Sequence, residues 1–85
     1  MYVVKTVIDG EEVISEHGTK EGAVQGAFNE YARLSVLDEE SSDVYEEVRE
    51  EVLNNLRTKG REDFPVNYLS YVKIGKVRYS KGYNG

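Results

Sequence analysis

The dipeptide Asp9-Gly10, set between two runs of alternating β-branched and polar residues, constrains this chain more than any other feature. Val3, Val4, Thr6, Val7 and Ile8 precede it and Val13 and Ile14 follow it, and an Asp-Gly pair in that setting is the strongest short signal of a β-hairpin. Two registers are compatible with the residues. A two-residue loop places Ile8 opposite Glu11 and Val7 opposite Glu12. A four-residue loop pairs Ile8 with Val13, Val7 with Ile14 and Lys5 with Glu16. Cross-strand apolar and opposite-charge pairs stabilise a sheet, so the longer loop is the expectation.

The periodicity then changes. Thr19 has the chemistry of a helix cap, and Ala23, Val24, Ala27, Phe28, Tyr31 and Leu34 recur at helical spacing, which predicts a helix over about residues 20 to 36. Gly22 and Gly26 fall on its polar side, either weakening the helix or marking a surface that something approaches closely. Gly18, Gly22 and Gly26 are too widely spaced for the common phosphate-binding loops. A second helix is predicted from the Ser41-Ser42-Asp43 cluster to Gly60, with Asp43 and Glu46 in the form of a capping box. Its apolar stripe is Val44, Tyr45, Val48, Val52 and Leu56.

After a loop containing Phe64-Pro65, residues 66 to 80 return to strand-like composition: Val66, Tyr68, Leu69, Tyr71, Val72, Ile74, Val77 and Tyr79. Gly75-Lys76 fits either a tight hairpin turn or a bulge in one long strand. Residues 81 to 85 read as a frayed tail. At 85 residues the chain supports one domain, spanning residues 1 to 85. The expected fold is α+β: an antiparallel sheet of three to four strands with two helices packed on one face, in the order ββααβ or ββααββ.

Composition removes several functions. The absence of cysteine excludes disulfides, thiolate metal sites and cysteine nucleophiles. The one histidine, His17, has no second histidine or cysteine with which to share a metal, and a hydroxyl nucleophile needs a positioned base. No catalytic residue, metal site or cofactor is therefore expected, and the chain reads as a binding protein. Apolar runs of a few residues fall far short of the roughly 20 needed to span a bilayer, and no charged-then-apolar leader is present, so a cytoplasmic protein without membrane contact is expected.

The net charge of -5 conceals segregation. Residues 1 to 37 carry 6 acids and 3 bases, residues 38 to 51 carry 8 acids and 1 base, and residues 52 to 85 carry 2 acids and 7 bases. With Val44 at 0° and about 100° per residue, the apolar stripe of the second helix falls within roughly 0–120°, and Asp43, Glu46, Glu47, Glu50 and Glu51 within roughly 200–340°. These five carboxylates span eight rises of about 1.5 Å, or about one charge per 2.4 Å, against about one per 1.7 Å in duplex DNA. Asp38, Glu39 and Glu40 lengthen the track.

In size, acidity and lack of catalytic residues the chain resembles the small DNA-mimic inhibitors that phages use against host nucleoid, restriction or CRISPR proteins. That resemblance rests on residues 38 to 51. It implies a basic, DNA-binding protein as partner and the host cytoplasm as location, with contact through Asp38, Glu39, Glu40, Asp43, Glu46, Glu47, Glu50 and Glu51. The bland alternative is the solvated face of an amphipathic helix.

A second hypothesis concerns the basic end. Tyr71, Lys73, Lys76, Arg78, Tyr79 and Lys81, with Tyr68 and Tyr83, interleave aromatic rings and cations as single-strand nucleic-acid binders do. Lysines that guard an edge strand and tyrosines that pack in a sheet explain the same composition, and the net negative charge weighs against direct nucleic-acid binding. A third hypothesis is a homodimer, formed by acidic helix against basic strand or by edge pairing across a two-fold axis.

Overall fold

The computed structural model describes residues 1–64 and 67–76. Its elements are β1 (Tyr2–Ile8), β2 (Glu11–His17), α1 (Lys20–Leu34), a short 3₁₀ turn (Leu37–Glu39), α2 (Ser42–Thr58), β3 (Arg61–Phe64) and β4 (Asn67–Lys76). The strands form one antiparallel sheet in the order β2-β1-β4-β3, with both helices on one face, so the order is ββααββ. The predicted class therefore holds. Two hairpins of adjacent strands are joined at the sheet centre by β1 and β4.

Val4 and Thr6 of β1 and Ser70 and Val72 of β4 face the helices. These residues are fully buried there, and they meet Ala23, Val24, Ala27, Phe28 and Tyr31 of α1 and Val52, Leu53 and Leu56 of α2 in one core. Phe64 joins it from β3, its ring 5.3 Å from that of Tyr31 and nearly perpendicular to it. The periodicity of α1 thus matches the face it buries. In α2 the stripe is rotated toward Leu53, and Val44 remains 42% exposed at the helix start.

Several expectations need correction. The β1–β2 hairpin uses the two-residue loop: Ile8 pairs with Glu11, Val7 with Glu12 and Thr6 with Val13. Asp9 (φ 51°) and Gly10 (φ 85°) both adopt left-handed conformations, the turn whose twist matches that of the flanking strands. Apolar pairing does not set the register because β2 is an edge strand, where Val13 and Ile14 stay 54% and 58% exposed. Lys5 reaches Glu12, at 3.2 Å, rather than Glu16.

The cap of α2 is Ser41, whose hydroxyl accepts the Val44 N–H at 3.3 Å; Asp43 lies inside the first turn, so the Asp43–Glu46 capping box does not form. Arg61–Phe64, read as loop, is a strand that pairs with β4, and it supplies the fourth strand of the sheet. β4 runs through Gly75 to Lys76 without a turn. The strand positions after Lys76 and the tail at 81 to 85 lie outside the described residues.

Gly26 shows what the polar-side glycines accommodate. The His17 ring lies over it, and a Cβ at Gly26 would stand 2.6 Å from that ring. The close approach anticipated for this side of α1 is made by the chain's own histidine.

Candidate functional site

The acidic surface is built from the core outward. Burial of Val52, Leu53 and Leu56, with Tyr45 and Val48 packed beside them, turns α2 so that Asp43, Glu46, Glu47, Glu50 and Glu51 are all exposed. The helix tolerates this density at its start because acids near an N-terminus interact favourably with the helix dipole. Further along, the pairs Glu46–Glu50 and Glu47–Glu51 repel by a few tenths of a kcal/mol each.

Compensation within the face is slight. Arg49, its one base, lies 3.9 Å from Glu46 across one turn. Arg57, near the helix end, reaches Glu21 of α1 instead, at 3.1 Å, and holds that carboxyl below its ordinary value. The other seven acids of residues 38 to 51 have no ion pair among the described residues. Glu51 stands at the border of the face, near half-buried Glu62 of β3, whose carboxyl is raised by desolvation and further by Glu51.

Buried Leu37 anchors the 3₁₀ turn that carries Asp38 and Glu39, and Glu40 follows in extended conformation; all three acids are exposed. They do not continue the helix stripe as a single line. Asp38 and Glu39 border a recess of about 410 Å³ shared with Asn29 and Arg33 of α1 and Tyr45 of α2. Glu40 borders another, of about 210 Å³, with Tyr31, Val44 and Val48. The acids upstream of α2 thus flank its first turn on two sides.

Of the residues proposed for nucleic acid, Tyr71 and Lys73 point outward from β4 on the face of the sheet away from the helices, and Lys76 stands opposite Tyr2 with its ammonium 5.6 Å from that ring's centre. Arg78, Tyr79 and Lys81 lie outside the described residues. The fold adds two cations that sequence spacing did not associate with them: Lys73 is flanked by Lys5 of β1 on one side and by Arg61 of β3 on the other. Only strand register reveals this, and the register was not legible.

One hydroxyl does find the histidine. Ser15 Oγ and His17 Nε2 are 2.9 Å apart on β2. The pair stands on an edge strand, and no carboxylate bonds the other imidazole nitrogen among the described residues. Among the described residues no three His, Asp or Glu side chains are grouped to hold a metal ion, and no helix is long and apolar enough to cross a membrane.

Fold and surface together define a small α+β protein with an acidic helical face and a sheet face that no helix among the described residues covers. Compared with protein-family models, curated proteins and solved structures, the chain matches none.

Proposed function

We propose that this is a non-catalytic cytoplasmic protein that binds a basic, nucleic-acid-binding protein through the exposed face of α2, in the manner of a DNA mimic. The observation that carries the reading is the eight exposed carboxylates from Asp38 to Glu51, which make a single long ion pair among the described residues. Charge left uncompensated at a spacing near that of duplex DNA complements a groove lined by lysine and arginine. Asp43, Glu46, Glu47, Glu50 and Glu51 form the central contact, with Asp38, Glu39 and Glu40 at the end of the helix where the chain arrives.

The test is capture of a basic DNA-binding protein from nuclease-treated extract, followed by measurement with the purified partner. Replacing Glu46, Glu47, Glu50 and Glu51 together with glutamine leaves the circular dichroism spectrum unchanged and weakens the complex by at least about tenfold, and rising salt dissociates the native complex. A variant that binds as the native chain does removes the acidic face from the interface and overturns the proposal.

A further inference from the structure

The face of the sheet opposite the helices carries its own pattern. Its middle row, read across the strands, is Ile14 on β2, Lys5 on β1, Lys73 on β4 and Arg61 on β3. Side chains directly opposite one another on one face are close neighbours, and like charges there destabilise a sheet. Lys5 and Arg61 are compensated by acids of the adjacent row, Glu12 at 3.2 Å and Asp63 at 3.0 Å. Glu16, the remaining acid of this face, is opposite Val3, in the row on the other side. Lys73, exposed between two cations, has no ion pair among the described residues. One positive charge is thus left at the centre of the face.

Two flat surfaces flank that charge along β4. The outward residues before and after Lys73 are Tyr71 and Gly75, each about 6.7 Å away at the rise of an extended strand. On one side the guanidinium of Arg61 lies 4.0 Å above the centre of the Tyr71 ring. Its Nε and Nη2 both donate to Asp63 Oδ1, at 3.1 and 3.0 Å, which holds the planar group in place. Guanidinium planes stack on nucleobases. On the other side Gly75 carries no side chain, and a Cβ there would meet nothing within 4 Å among the described residues. With Val3 beside it, Gly75 forms the floor of a recess of about 250 Å³ rimmed by Lys5, Lys73 and Lys76.

We propose that this face is a second binding surface, for single-stranded nucleic acid, with a phosphate at Lys73 between one base stacked on Arg61 and another lodged over Gly75. The order flat, cationic, flat along one strand matches the order base, phosphate, base along an unpaired chain. A duplex keeps its bases stacked inside and offers this face only phosphates, and a free phosphate leaves both flat surfaces unused. The surface shares no residue with the acidic face of α2, so the two proposals stand or fall separately.

Fluorescence anisotropy of the full chain with labelled eight-nucleotide oligo(dT) and oligo(U), in low salt and without any protein partner, tests it. Saturable binding of at least one oligonucleotide is expected, and the stronger arm identifies DNA or RNA. Gly75→Leu, which fills the recess, and Lys73→Glu each weaken binding by about tenfold or more, whereas Arg33→Glu, an equal charge change on α1, leaves it within about twofold. In the native chain, backbone amide shifts on titration centre on Lys5, Arg61, Tyr71, Lys73 and Gly75, a readout that requires no variant to fold. Absence of saturable binding, shifts centred elsewhere, native affinity in a folded Gly75→Leu, or equal losses from Arg33→Glu and Lys73→Glu overturn the proposal.

Discussion

Thr6 carries its hydroxyl into the core, where Oγ1 is buried and has no hydrogen-bond partner among the described residues. A buried hydroxyl without a partner costs about 1–3 kcal/mol, and an apolar group of the same shape avoids that cost. Thr6→Val should therefore raise the unfolding free energy by about 1 kcal/mol in urea titration; a lower value would mean that the hydroxyl is bonded. Glu62 is the corresponding case for a charge. Desolvation raises its carboxyl above the ordinary value of 4.5, Asn55 offsets this in part through a 2.8 Å hydrogen bond, and Glu51 and Asp63 push it further up. Between 4.5 and the raised folded value the native protein holds a proton that the unfolded chain has released, so stability falls as pH rises through that window. Glu62→Gln should be more stable than the native chain at pH 7, and the difference should shrink as the pH is lowered toward 4. A gap that stays constant with pH would contradict the assignment. Sequence alone distinguishes neither residue: Thr6 has the pattern of any β-former, and Glu62 lies in a polar run without strand periodicity.

At the scale of elements, legibility followed the source of each element's stability. The helix α1 was read closely because its cap and core face are local properties: Thr19 accepts the Gly22 N–H at 3.0 Å, and five of the six periodic residues are buried. The strand β3 was missed because Arg61-Glu62-Asp63 has no alternating apolar signal; its conformation is imposed by pairing with β4. The hairpin register departs from the one its apolar pairs favour because two left-handed turn residues outweigh the side-chain pairs of an exposed edge strand. The start of α2 was placed correctly but assigned to the wrong capping residue. Ser41→Ala should therefore cost about 1 kcal/mol of stability, while Asp43→Ala should cost only the few tenths due to its interaction with the helix dipole. Thermal unfolding of the two variants side by side distinguishes them, and the opposite ranking would restore Asp43 as the cap.

Across the whole molecule, charge segregation was legible from the sequence, and the fold converts it into two surfaces of different chemistry. The acidic face was predictable because it depends on helical spacing within one segment. The cationic row was not, because Lys5, Lys73 and Arg61 become neighbours only once β1, β4 and β3 are in register. The same central pairing decides how the protein is made. Tyr2 pairs with Lys76, so the strand that completes the sheet is synthesised after the first hairpin and both helices. Distant pairings of this kind are slow to form and leave apolar surface open in the meantime. A nascent chain arrested before Asn67 therefore lacks the strand that pairs with β1, and the sheet cannot close until Asn67–Lys76 has been made.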